Sequence, residues 1–232
     1  VESGSAAFIF DRRGKGKSDG DTARILPISV MAGDVINAVD FLKNIKDIDS
    51  GKIGLYGLSQ GGWVAPLAAS LCRDIDFLIT ISAPGITPDE QNSYVVNNIV
   101  QKEIRKVYEK SEWGKYLNHA EVNGADSIYT TSEYGETEVV KGFSWYDPIP
   151  AWQKINIPVL AVWGSADEIV PSFESMNKIQ SALSNNKNCT FRIFEGANHI
   201  MKMPEVKDKF AGKWEMTAPG SGEFILEWFR NI

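Results

Sequence analysis

Short runs of apolar, β-branched and aromatic residues alternate along this chain with longer stretches whose apolar positions recur at helical spacing. The runs are Ala6 to Phe10, Lys52 to Tyr56, Phe77 to Ser82, Pro158 to Trp163 and Thr190 to Phe194. Each is continuous enough in apolar residues to predict a strand buried on both faces. Between the first two runs, Val35, Ala38, Val39, Leu42 and Ile45 mark one face of a helix. Trp63 to Cys72 predicts a second helix, bent at Pro66 because proline brings no N–H to the helical ladder. Ser172 to Leu183 predicts a third, and Glu223 to Phe229, after Pro219 and Gly222, the last. Strand then helix, repeated, requires right-handed crossovers. The expected fold class is therefore α/β, a mostly parallel sheet with helices on both faces.

The alternation breaks from Ile86 to Pro150. This stretch is polar, reads as helical from about Pro88 to Ala120, and then becomes rich in Thr, Ser, Glu and Gly. It is too long for a simple crossover. The expectation is a core made of residues 1–85 and 151–232, with a lid, 86–150, inserted over the carboxyl edge of the sheet.

Composition narrows the function classes. With 232 residues, 43% of them hydrophobic and 23% charged, the chain is long enough for one sizeable core. The net charge of -6 and pI near 5.1 argue against a nucleic-acid partner, which needs a basic surface to neutralise phosphates. The two cysteines, Cys72 and Cys189, lie far apart without metal-ligand spacing, so they predict neither a disulfide framework nor a zinc site. No apolar run approaches the ~18 residues of a membrane span, and no charged-then-apolar signal segment opens the chain. The first residue is Val1 rather than Met, and a buried-looking strand follows almost at once. The natural start is expected upstream, which leaves the compartment open.

The stretch "FIFDRRGKGKSDG", residues 8–20, ends like a phosphate-binding loop, with Gly16, Lys17 and Ser18 in the right order. Asp11 stands where that pattern needs its first glycine. More informative is "KIGLYGLSQGG", in which Gly57-Leu58-Ser59-Gln60-Gly61 fits G-x-S-x-G between a predicted strand and a predicted helix. Small residues permit the sharp turn that lifts a serine hydroxyl to the carboxyl edge of the sheet. A serine is a weak nucleophile until a base takes its proton, so a histidine and a carboxylate should follow at strand ends. His199, in "FEGANHIM", lies just past the last predicted strand, and Asp167, in "VLAVWGSADEIVP", follows the fourth. Glu168 is a neighbouring alternative acid, and the other histidine, His119, lies in the lid among polar residues. The order Ser59, Asp167, His199 is the one this type of elbow carries.

On these segments, together with "YDPIPAWQKINIPVLAVWGSADEIVP" and "GANH", the chain resembles the α/β-hydrolases over essentially all of its length. Within them it looks most like bacterial carboxylesterases and serine aminopeptidase-like hydrolases with an inserted cap. The resemblance implies that "GKGKS" belongs to a strand-to-helix loop of that fold rather than to a nucleotide cradle, and that Arg12 and Arg13 order this loop. It implies an N-terminally incomplete hydrolase fold, because the family has further strands before Ala6 to Phe10. A loop after one of them supplies the second oxyanion N–H, beside the first from the residue after the nucleophile, here Gln60. The resemblance also places a missing strand between Ala6 to Phe10 and Lys52 to Tyr56. With neighbouring strands about 4.8 Å apart, its loss leaves a gap near 10 Å that hydrogen bonds cannot cross. Incompleteness is the favoured explanation; re-pairing of the strands and filling by another polypeptide are the others.

The activity expected from this resemblance is hydrolysis of small-molecule acyl esters through a Ser59–His199–Asp167 triad and an acyl-enzyme. No cofactor and no metal is required. Loss of an oxyanion donor lowers the rate by about 10² to 10³. Amide cleavage by an aminopeptidase and thioester cleavage are the alternatives, followed by a non-catalytic binding protein and, last, a nucleotide binder. The lid aromatics Trp113, Tyr116, Tyr129, Tyr134, Trp145 and Tyr146 fit either an acyl pocket or the lid's own core. Glu103, Glu109, Glu112 and Glu121 offer anions to a substrate amino group or simply form a wet helix face. An exposed sheet edge would invite pairing, so a homodimer is also expected.

Overall fold

The computed structural model describes residues 4–20, 26–100, 143, 145–203 and 218–232. Among them, four parallel strands form one sheet in the order β1 (Gly54–Leu58), β2 (Phe77–Ile81), β3 (Val159–Gly164) and β4 (Cys189–Phe194). Leu58 pairs with Ile81, Ile81 with Val162, and Gly164 with Phe194, which aligns the carboxyl ends of all four strands. The helices are α1 (Ile28–Lys43), α2 (Gly61–Leu71), α3 (Pro88–Val95), α4 (Ile149–Trp152), α5 (Ser172–Ala182) and α6 (Ser221–Arg230). A π-helical segment, Val96–Val100, continues α3.

The twofold alternation of side chains along a strand divides the apolar residues into two layers. Leu78, Val159, Ala161 and Trp163 face one way and meet Ala65 of α2, Trp152 of α4 and Ile179 of α5. Ile79, Ile81, Leu160 and Val162 face the other way and meet Phe224, Ile225 and Trp228 of α6. Helices on both faces are thus required by the sequence of β3, where all six residues are buried. Beside the first layer, Ile28, Met31, Ala32 and Val39 of α1 close against Trp63, Val64 and Ala68 of α2.

The predicted strand from Ala6 to Phe10 does not join the sheet. Phe8, Ile9 and Phe10 are 45%, 89% and 42% exposed, and the Phe8 ring rests against Phe10 and Phe41 instead. An apolar run predicts burial, but a strand also needs a neighbour within hydrogen-bonding distance. Here β1 forms the sheet edge among the described residues, with Tyr56 62% exposed, so re-pairing across the gap, one of the alternatives to incompleteness, does not take place among them. The start of β1 also moves two residues beyond the prediction. Lys52 N–H donates to Asp49 O and Ile53 N–H to the Asp76 carboxylate, so neither N–H enters the ladder of the sheet.

Residues 101–142, most of the expected lid, lie outside the described residues, and with them Trp113, Tyr116, His119, Tyr129, Tyr134 and the acidic residues from Glu103 to Glu121. Of the lid aromatics that are described, Trp145 is 53% exposed, while Tyr146 packs beside the α1–α2 core. Burial pushes the Tyr146 phenol well above its usual titration range, with Asp147 adding to the effect.

Candidate active site

The carboxyl edge of the sheet carries Ser59 one residue after β1, Ser82 one residue after β2, Asp167 after β3 and His199 after β4. Three independent strand ends therefore present the expected nucleophile, acid and base on one rim. Open parallel sheets bind ligands outside this rim, where strand and helix connections converge.

Ser59 sits at φ 54°, a left-handed conformation unusual for a residue with a Cβ. Such a conformation costs roughly 1–3 kcal/mol and persists only where its surroundings enforce it. The enforcement is visible. Ser59 N–H donates to Ile81 O at 3.0 Å, extending the β1–β2 ladder, and Ser59 O accepts from Gly62 N–H at 2.7 Å as α2 begins. A Cβ on Gly57 would lie 2.4 Å from Gly61 O, and one on Gly62 would lie 2.5 Å from the Ala83 Cα. Gly61, by contrast, has nothing within 4 Å of its Cβ position. The tight sites of the elbow are Gly57 and Gly62, rather than the last glycine of the motif.

Gln60 caps α2 without a side-chain capping bond. Its own N–H donates to none of the described residues, and it points from the positive end of a helix. Its side-chain oxygen accepts from Arg12 Nη1 at 3.2 Å, while Arg13 forms a two-point ion pair with Asp34 of α1. These bonds tie the basic loop to the elbow and to α1. The loop itself has no room for a phosphate. Asp11 Oδ2 accepts from Lys17 N–H at 2.9 Å, Asp11 O accepts from Ser18 Oγ–H at 2.6 Å, and a Cβ on Gly16 would strike the Asp11 carboxylate. A carboxylate fills the centre of the turn, and α1 starts only at Ile28. This geometry speaks against a nucleotide cradle, the last of the alternatives weighed above.

Asp167 is 4% exposed and every lone pair that matters is occupied. Oδ1 accepts from Ile169 N–H at 2.8 Å and Val170 N–H at 2.9 Å, and Oδ2 lies 2.9 Å from His199 Nδ1. With the Asp167 carboxylate as acceptor, the hydrogen in that bond is assigned to Nδ1, which leaves Nε2 as the acceptor nitrogen. Glu168 is exposed; Asp167, and not its neighbour, makes the bond to His199. The hydroxyl of Tyr94, the next-to-last residue of α3, donates to Asp167 O at 3.1 Å. The start of the expected lid is in this way fastened to the acid's loop. A capping box, Thr87 with Glu90, begins that helix, a signal present in the sequence as Thr-x-x-Glu.

The structure brings Asp167 and His199 into direct contact and sets Ser59 on the same rim at the end of β1, with β2 between it and β3. No hydrogen bond joins Ser59 Oγ to His199 among the described residues, a frequent condition in sites without substrate. The loop bearing His199 is fixed at several points. Asn198 Oδ1 accepts from Ile200 N–H and Lys202 N–H, Ser165 Oγ accepts from Gly196 N–H, and Ala197 O accepts from Ala166 N–H. Close approach at Gly164, where a Cβ would lie 2.1 Å from Ala197 O, lets this loop sit against the end of β3. Among the described residues, no cluster of histidine, cysteine and carboxylates suits a metal ion, and no helix is long and apolar enough to cross a membrane.

Several known proteins resemble this chain at low identity. An uncharacterized 31.7 kDa protein of Escherichia coli is 22% identical, covering 85% of this chain and 77% of its own length. The mitochondrial palmitoyl-protein thioesterase of Homo sapiens is 26% identical over 86% of this chain, and a polyketide transferase of Penicillium crustosum is 26% identical over 78%. This chain spans 58% and 54% of those two relatives. Among solved structures, the monoacylglycerol lipase of Paleococcus ferrophilus matches 96% of this chain and 82% of its own with a TM-score of 0.57 and 20% identity. A Pyrococcus furiosus esterase matches 82% of this chain and 60% of its own with a TM-score of 0.54 and 22% identity. These structural likenesses establish the α/β-hydrolase fold. The family model described as BAAT / acyl-CoA thioester hydrolase C terminal matches residues 36–207, and the chain belongs to that family of hydrolases.

Proposed function

We propose that this protein is a serine hydrolase of small-molecule acyl esters and thioesters, acting through Ser59, His199 and Asp167. The observation that supports this most is the bond from His199 Nδ1 to a buried, fully engaged Asp167 on the same sheet edge as an elbow serine at φ 54°. In the proposed reaction, Ser59 Oγ attacks the acyl carbon and His199 Nε2 takes its proton. The Gln60 N–H, at the start of α2, receives part of the negative charge that develops on the carbonyl oxygen. His199 then returns the proton to the departing alcohol or thiol. Water, deprotonated by the same nitrogen, releases the acid and restores Ser59.

Asp167 holds the imidazole in the tautomer that leaves Nε2 basic and stabilises the imidazolium between the two transfers. Segment 86–150 is proposed as the lid over this rim, anchored through Tyr94. Thioesters enter the proposal on an equal footing with oxygen esters because the matching family is one of acyl-CoA thioester hydrolases. The test is a panel of p-nitrophenyl acyl esters and acyl-CoA thioesters of matched chain length, with Ser59→Ala alongside. Turnover of either class that disappears in the variant supports the reading. Turnover that survives Ser59→Ala, or a folded protein inert toward both classes, contradicts it.

A further inference from the structure

Ser82, like Ser59, is a left-handed residue directly after a strand. It lies directly after β2 in "LITISAPG", has φ 50° and is completely buried. Nothing in the G-x-S-x-G pattern or in the order of the triad requires a serine there. Its position between the two halves of the site is nevertheless specific. Ser82 N–H donates to Val162 O at 2.8 Å, carrying the β2–β3 ladder one residue further. The preceding residue, Ile81, accepts the N–H of Ser59. Ser82 Oγ–H donates to the backbone carbonyl of His199 at 2.9 Å, across 117 positions of sequence.

Resting on the serine-hydrolase reading, we infer that Ser82 is a positioning residue, which fixes the His199 backbone against the strand end that also fixes Ser59. The imidazole is held through its ring by Asp167, which sets the tautomer and one axis of orientation. The bonds at Gly196, Ala197 and Asn198 fix the loop on either side, but none of them holds the His199 backbone itself to β2. The Ser82 hydroxyl supplies that hold, at the end of the residue opposite the ring. Because Ile81 and Ser82 are consecutive, the distance from nucleophile to base is referred to a single point of the sheet. A displacement of about 1 Å at such a point lowers a rate by about 10²-fold.

The left-handed backbone supplies a clean test. Glycine adopts φ 50° at no steric cost, whereas alanine retains the strain and loses the hydroxyl. Ser82→Gly therefore removes the proposed function while relieving the backbone, and Ser82→Ala removes the function alone. Both are compared with the unaltered protein in steady-state hydrolysis of a p-nitrophenyl ester, in thermal unfolding, and by proton–nitrogen NMR of the His199 ring, assigned with His199→Asn.

The expected result is a drop in kcat of about 10- to 100-fold in both variants with KM within twofold, while Ser82→Gly keeps the melting temperature of the unaltered protein. The His199 Nδ1–H resonance, sharp in the unaltered protein, broadens or shifts in both. A kcat that follows the melting temperature, falling in Ser82→Ala but not in Ser82→Gly, overturns the inference, because a purely structural serine would behave that way. If the unaltered protein proves inactive, the functional reading fails on its own account and the NMR comparison decides on Ser82. An unchanged His199 ring in Ser82→Gly then refutes the positioning role.

Discussion

Replacement of Asp167 by asparagine probes the site with almost no change of shape. Oδ1 receives two backbone N–H groups, from Ile169 and Val170, and Oδ2 faces His199 Nδ1. Asparagine has one oxygen and one NH2. The orientation that keeps the oxygen at the Oδ1 position retains two hydrogen bonds, and the flipped orientation would drive the NH2 against two N–H donors in a buried place. The first is favoured by at least the cost of an unsatisfied buried group, about 1–3 kcal/mol. It turns an N–H toward His199 Nδ1, which must then become the acceptor. The ring proton moves to Nε2, and the nitrogen that should take the Ser59 proton already carries one.

Where a wrong tautomer is imposed on a triad in this way, kcat falls by about 10⁴. That corresponds to about 5 kcal/mol of transition-state stabilisation. The stability cost is much smaller. Two bonds to a charged acceptor become bonds to a neutral one, roughly 1 kcal/mol each. In a chain of this size that lowers the melting temperature by about 4–8 °C. Steady-state hydrolysis and thermal unfolding of Asp167→Asn are the assays. A kcat within tenfold of the unaltered protein, in a folded variant, would refute both the tautomer argument and the assignment of the acid.

Other expectations follow from particular contacts. Gly62→Ala places a Cβ 2.5 Å from the Ala83 Cα and should lower stability by about 1–3 kcal/mol, whereas Gly61→Ala, with open space around it, should be neutral or mildly stabilising. Equal melting temperatures for the two variants would contradict the placement of α2 against β2. Thr87→Ala removes half of the capping box of α3 and should cost about 0.5–2 kcal/mol, measured by denaturant unfolding, and an unchanged midpoint would count against it. Burial pushes the Cys189 thiol up to about 11, so its contribution to stability is present at neutral pH and declines as pH rises from about 9 toward 11, where the unfolded chain ionises first. Over the same range, Cys189→Ser should flatten the pH dependence of the melting temperature, and a slope unchanged by that variant would refute the assignment.

How legible was the fold? Strands β2 and β3 were plain in the sequence because their neighbours bury both faces, and burial is what an uninterrupted apolar run records, whereas β4 was legible from its β-branched and aromatic residues although only Phe194 of it is buried. The same rule misled at Phe8 to Phe10, where the apolar side chains are present but no strand lies alongside to complete a ladder. Periodicity reported the apolar stripe of α1 from Val35 onward. It missed the first turns, where Ile28, Met31 and Ala32 are buried, because Pro27 alone marks the start. The placement of Ser59, Asp167 and His199 just past strand ends was legible from local patterns. Ser82, Tyr94 and the tight Gly62 were not, because each acts through a partner distant in sequence, and spacing along one chain carries no trace of such a contact.

The central claim is that Ser59 is a nucleophile activated by His199. Its most direct test is intact-mass spectrometry of the folded protein before and after a fluorophosphonate probe, with Ser59→Ala and His199→Ala in parallel. The account predicts a single adduct on the unaltered protein, mapped to the peptide containing Ser59, none on Ser59→Ala, and labelling of His199→Ala slowed by orders of magnitude. An adduct that forms equally fast without His199, or none on a folded unaltered protein, would contradict it.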